Sequence, residues 1–142
     1  MKELKIPHTP IVDTYKESYA ASFKTLNLKW IEEFFVVEEE DLKILSNPKS
    51  YVIDTGGEIF FALQEGQVIG TSAMVLIKPQ VFELAKMAVD KNFQGKGVGR
   101  ILINASIEFA RKRSATEVFL VTNDKLKPAL NLYKSSGFNL DL

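Results

Sequence analysis

A mixed α/β domain is the fold class this chain predicts, and three observations predict it. Two strand-like runs, EIFFAL and VIGTSAMVLI, are joined by a glycine-containing turn and followed by a third run, VFELAKMAV. The stretch NFQGKGVGR, 92–100, then leads directly into helical apolar spacing. Another strand follows that helix, so residues 82–122 read as a βαβ unit with parallel strands, whereas the hairpin is antiparallel. The expected architecture is a mostly antiparallel mixed sheet with one parallel pair and helices on both faces.

The elements follow in order. Residues 14–35 read as helix in two pieces, with Tyr15, Tyr19, Phe23, Leu26, Trp30 and Phe34 at helical spacing. EEEDLKIL, 38–45, is a short helix with acids in its first turn, where the helix dipole favours them, and Asn47-Pro48 ends it. The hairpin strands follow Gly56-Gly57, and KPQ, 78–80, turns the chain into the third strand, 81–89. In that strand Phe82 and Leu84 are apolar at even positions, Met87 and Val89 at odd ones. Side chains alternate with period two, so the parity switch implies one extra residue near Ala85-Lys86, a β-bulge.

From Val98 the apolar residues Val98, Ile101, Leu102, Ala105 and Phe109 take helical spacing, opposite a face of Arg100, Asn104, Glu108 and Arg111. EVFLVT, 117–122, is a strand. Pro128 suits the first turn of a last helix carrying Ala129, Leu130 and Tyr133, with Gly137 as its C-terminal cap, and GFNLDL begins one more strand.

The 142 residues correspond to a single domain, 1–142, with ordinary contents of 46% hydrophobic and 25% charged residues. No apolar run approaches the ~18 residues of a membrane span, and MKELKIPHTP lacks the apolar core of a secretory signal, which makes the cytoplasm the expected compartment. The absence of cysteine removes disulfides, thiolate metal sites and a cysteine nucleophile; no metal is expected. A net charge of zero argues against nucleic acid as partner. The charge is uneven, however. Residues 1–85 carry 8 Lys and Arg against 13 Asp and Glu, and residues 86–142 carry 10 against 5. That asymmetry suits an anionic ligand on the later half and a cationic one near the earlier half.

The loop at 92–100 bears most on the ligand class, the alternative being a purely structural strand-to-helix turn. A helix start exposes unpaired N–H groups and a partial positive charge, glycines allow close backbone approach, and Lys96 and Arg100 add full charges, all of which suits a phosphate or pyrophosphate. A dinucleotide fingerprint fails in both registers, because the last glycine would fall on Arg100 or Leu102, and the spacing cannot supply a P-loop. The sequence Gln94-x-x-Gly97-x-Gly99 after ELAKMAV, followed by ALNLYKSSGF, resembles the GNAT superfamily of N-acetyltransferases over residues 82–138. The resemblance implies that Gln94, Gly95, Lys96, Gly97, Val98, Gly99 and Arg100 hold the pyrophosphate of acetyl-coenzyme A. It also implies that the bulged strand splays from the next parallel strand and offers Met87, Ala88 and Val89 to the pantetheine. An amine of a small molecule, or a protein lysine or N-terminus, would attack the thioester directly through a tetrahedral intermediate. The rival readings are a non-catalytic acetyl-coenzyme A sensor and another nucleotide-binding module.

Two catalytic candidates follow from the resemblance. Tyr133 matches the tyrosine that protonates the departing thiolate, and an unperturbed phenol, with a pKa of about 10, holds its proton at neutral pH; the alternative is packing beside Leu130. Glu83 matches a position used as general base, where burial would raise its pKa toward a useful value; the alternative is a solvated glutamate or one paired with Lys86. Glu32, Glu33, Glu38, Glu39, Glu40 and Asp41 lie on the acceptor side, chiefly as a solvated face. His8 reads as a surface residue, and Trp30 as core or pocket wall. The chain departs from the family pattern twice. The position seven before the tyrosine is Leu126, with Asn123 the nearest asparagine for a cofactor contact. The family has a further strand after GF; with Leu142 the last residue of the sequence, that strand reads as absent, truncated or replaced by a partner, and the sheet edge left would suit pairing with a second copy as a homodimer.

Overall fold

The computed structural model describes residues 9–121 and 132–138. Its centre is a five-stranded sheet in sequential order: β1 (Ile11–Thr14), β2 (Glu58–Gln64), β3 (Gln67–Lys78), β4 (Val81–Val89) and β5 (Glu117–Phe119). The first four strands pair antiparallel, and β4 pairs parallel with β5. This is the mixed sheet expected from the sequence. Strand β1 is an addition: IVDT lies in extended backbone against Phe60–Leu63, with Ile11 opposite Leu63 and Thr14 opposite Phe60. The helix expected from residue 14 therefore begins later, with one 3-10 turn at Glu17–Tyr19 and then α1 (Ala20–Phe34).

Strand β2 reads as an unbroken apolar run because both its faces are covered. Ile59 and Phe61 point to one layer, where α1 and α2 (Glu39–Ser46) pack with Phe23, Ile31 and Leu45. Phe60 and Ala62 point to the other, where α3 (Val98–Lys112) packs with Leu102, Ile103 and Phe109. Phe109 meets Phe60 and Phe82 edge-to-face at 5.7 and 5.6 Å between ring centres. Each such large apolar side chain, fully buried, contributes about 1.5–3 kcal/mol.

On α1 the buried residues are Phe23, Asn27 and Ile31, spaced by four. The row expected from the sequence shares Phe23 with it, but its continuation through Leu26, Trp30 and Phe34 lies to one side, and Phe34 is exposed. Helix α2 starts with a capping box in which the Glu38 side chain accepts from the Asp41 N–H and the Asp41 carboxylate accepts from the Glu38 N–H at 3.0 Å. Helix α3 ends at Ser114 (φ 58°), where the Ala115 N–H reaches the Ala110 carbonyl at 3.0 Å. The same closing pattern recurs at Gly137 (φ 105°), with the Phe138 N–H on the Tyr133 carbonyl at 3.1 Å, so the expected cap is present.

The bulge in β4 falls where the parity switch puts it. Leu84 lies opposite Met74 and Lys86 opposite Ala73, so Ala85 is the extra residue. Phe82 and Leu84 before it, and Met87 and Val89 after it, all pack in the α3 layer. The parallel pairing of β4 with β5 ends at Glu83–Phe119. Beyond that rung the bulged half of β4 continues without β5 as a ladder partner.

Candidate active site

The glycine loop is built from the end of β4 to the first turn of α3. Asp90 extends the ladder through its N–H to the Ile69 carbonyl at 2.8 Å, and its carboxylate accepts from the Asn92 N–H at 2.9 Å. Gln94 folds back, donating from Nε2 to the Val89 carbonyl at 3.2 Å, which ties the loop to the strand end. Gly95 (φ 75°) and Gly97 (φ 85°) take left-handed backbone, and a Cβ at either would meet nothing within 4 Å. Open space therefore stands over the loop. Gly97 caps α3, whose first intrahelical bond runs from the Ile101 N–H to the Gly97 carbonyl at 3.2 Å. The N–H groups of Val98, Gly99 and Arg100 precede it and have no acceptor inside the helix. A pyrophosphate fits this donor set, with the helix dipole behind it.

The seven expected loop residues divide by role. The Val98 side chain is buried in the core, so only its backbone can face a ligand. A Cβ on Gly99 would lie 2.8 Å from Leu132 Cδ2, so this glycine serves close packing against the segment that carries Tyr133. Arg100 donates to Ser135 Oγ at 2.9 Å, and Lys96 Nζ lies 5.6 Å from the centre of the Phe93 ring. Ala88 is buried, and Met87 and Val89 are half-buried along the half of β4 that β5 leaves unpaired.

A cleft of about 360 Å³ opens on the other side of the bulge. Leu84, Ala85, Lys86 and Met87 of β4 line it, facing Leu120 and Val121 after β5, with Tyr133 at one wall and α1 residues at another. Burial raises the Tyr133 pKa above its ordinary value, so the phenol stays protonated. Its ring stands edge-on to Phe138 at 6.3 Å. Glu83 is half-buried at the last β4–β5 rung and is not among the residues lining the cleft with Tyr133. Lys86 pairs not with Glu83 but with Asp41 of α2. Burial pushes the Asp41 carboxyl up, but the Lys86 ammonium and the Glu38 N–H outweigh it and hold the group below the usual carboxylate range.

Of the six acids expected on the acceptor side, only Glu38 and Asp41 line the cleft. Glu32, Glu33, Glu39 and Glu40 are exposed, and Glu33 lies 3.6 Å from Lys91. Trp30 lines the cleft, as one of its two readings expected. Asn27 was missed; its signal was a polar residue midway between Phe23 and Ile31 in an apolar row. His8, Asn123, Leu126, Pro128, Ala129, Leu130 and the strand expected after Phe138 lie outside the described residues. Among the described residues no group of acids or histidine is placed to hold a metal, and no helix is long and apolar enough to cross a membrane.

A parallel pair that ends at Glu83–Phe119, a bulge at Ala85 and an N–H cradle at the start of α3 thus lie together in a mixed α/β domain. The Acetyltransferase (GNAT) family matches residues 16–138, and the chain belongs to that family. N-acetyltransferase 8 of Rattus norvegicus is 32% identical over 95 residues, covering 63% of this chain and 43% of that protein. The uncharacterized N-acetyltransferase YvbK of Bacillus subtilis (strain 168) is 29% identical over 103 residues, covering 70% of this chain and 66% of that protein. The chain thus spans less than two thirds of the length of either relative. An acetyltransferase of the GNAT family from Staphylococcus aureus Mu50 shares the fold, with a TM-score of 0.84 at 22% identity over 92% of this chain and 84% of that one.

Proposed function

We propose that the chain transfers an acetyl group from acetyl-coenzyme A to a primary amine. What supports the reading is one juxtaposition. The open N–H cradle over Gly95 and Gly97 leads back along the half of β4 that β5 leaves unpaired to a cleft walled by a protonated phenol. Acetyl-coenzyme A supplies the thioester. The backbone N–H groups of 95–100 hold its pyrophosphate, and the strand edge at Met87–Val89 pairs with its pantetheine arm. An uncharged amine in the cleft attacks the carbonyl, and a backbone N–H near Val89 or the bulge stabilises the oxyanion. Tyr133 protonates the leaving thiolate. Glu83 acts on the amine through water, since it stands outside the cleft lining. Positioning of two substrates on a rigid sheet supplies much of the rate.

The test pairs binding with turnover. Coenzyme A at about 100 times its dissociation constant should add ~2.7 kcal/mol of stability, seen as a raised Tm, and NAD should not. Thiol release against a panel of amines should then exceed the hydrolysis background. Stabilisation by coenzyme A without release for any amine would reject the enzyme and leave a binding module.

A further inference from the structure

The face around the cleft carries several acids, but among its described lining residues the cleft itself offers one uncompensated carboxylate, Glu38. We propose that the acceptor is an amine with a single positive charge on an apolar, ring-sized body, and that a polycation is a poor substrate. The inference rests on the acetyl-transfer reading above and narrows its acceptor.

Three observations carry it. First, the charged groups that face the cleft are Glu38, Asp41 and Lys86, the last two paired with each other. Glu38 is the remaining charge; it accepts from the Asp41 N–H and keeps its negative charge, one uncompensated carboxylate for one ammonium. Among the described lining residues a second ammonium would find no further uncompensated carboxylate, and an unpaired charge removed from water is strongly disfavoured. Second, the wall toward α1 is apolar and aromatic. Trp30 lies 5.8 Å from Phe35 between ring centres, Ile31 lies beside them, and Val36 at the rim is 82% exposed. Such a wall takes a ring by stacking and holds a nearby cation over a π face. Third, Asn27 lines the cleft while only 1% exposed. Its Nδ2 donates to the Phe23 carbonyl at 2.9 Å, and a carbonyl can only accept, so the oxygen is the atom turned away. An acceptor oxygen in this position calls for an N–H, and the amine of the substrate supplies one.

Trp30 is the only tryptophan in the chain, so its fluorescence reads occupancy of the cleft directly. With coenzyme A present, titration with 2-phenylethylamine should change the signal saturably, and spermidine at the same concentrations should not. With acetyl-coenzyme A, kcat/KM should favour 2-phenylethylamine by about tenfold or more. Phe35→Ala and Asn27→Leu should each raise its KM severalfold while the coenzyme A melting shift persists, which shows that the variants are folded. A flat Trp30 signal with 2-phenylethylamine, or a kcat/KM that favours spermidine, overturns the proposal. Thiol release with polycations alone would overturn it and leave acetyl transfer standing. Saturable amine binding without thiol release for any acceptor would do the reverse.

Discussion

Replacing Tyr133 by phenylalanine removes one hydroxyl and leaves the ring, its edge-on contact with Phe138 at 6.3 Å and its wall of the cleft in place. The wild-type phenol sits in a half-buried position that raises its pKa above 10, so at neutral pH essentially every molecule carries the proton. The substitution therefore deletes a proton donor that is always loaded. General acid catalysis is typically worth about 10²–10⁴-fold, or roughly 3–5 kcal/mol on the barrier. We expect kcat to fall by that order, while the melting shift produced by coenzyme A stays within experimental error. The pH profile adds a second readout. An acid must be protonated to act, so activity is lost as pH rises through its pKa, and burial moves that alkaline limb upward, beyond about pH 10. In Tyr133→Phe the limb belonging to this group should vanish. The assay is thiol release at saturating acceptor, with melting curves on the same preparations. Turnover within a few-fold of wild type would refute the reasoning and make the ring a packing element.

Other perturbations test other parts of the structure. Gly97→Glu places bulk and negative charge where the loop is open, so the coenzyme A melting shift of ~2.7 kcal/mol should disappear; an unchanged shift would remove the loop from the site. Asp41→Asn tests a linkage: because the Asp41 pKa is depressed in the folded state, its stabilisation is present above the ordinary value of 3.8 and fades as pH falls through the folded value. The variant should be less stable at pH 7 by about 1 kcal/mol, with a flatter acid limb in urea melts, and equal midpoints at pH 7 would show that the Lys86 pair contributes nothing. A Cβ at Gly57 would stand 2.1 Å from the Met74 carbonyl oxygen and 2.9 Å from that of Val52. Both are backbone atoms, so Gly57→Ala should cost about 3 kcal/mol or more, and a wild-type urea midpoint would contradict the described entry to β2.

The sheet was legible where periodicity had room to show itself. Strands β2, β3 and β4 announce themselves by apolar runs between turn residues, and the bulge at Ala85 could be read because a period of two exposes a single inserted residue. Strand β1 was not legible: Ile11–Thr14 is four residues long, and only its partner Phe60–Leu63 makes it a strand. The row on α1 was legible at Phe23 and departs after it: Leu26, Trp30 and Phe34 form a larger apolar series than Asn27 and Ile31, and the orientation is set by what the sheet can cover. In the site, the glycine loop is local and was readable from spacing. The Asp41–Lys86 pair joins segments 45 residues apart in the chain, and no local pattern encodes it.

Gly99 and Arg100 carry a consequence for how this domain can vary. One makes room for Leu132, the neighbour of Tyr133, and the other reaches Ser135 in the same helical turn. The two roles proposed for either side of this seam, gripping an anion and delivering a proton, are therefore expected to vary together. A side chain introduced at position 99 displaces Leu132 whatever it does to the anion, and loss of the Arg100 guanidinium frees Ser135 whatever it does to charge. Changes of donor at this loop must therefore travel with compensating changes at 132–135. A library that randomises both stretches together should recover active sequences that randomising either alone does not.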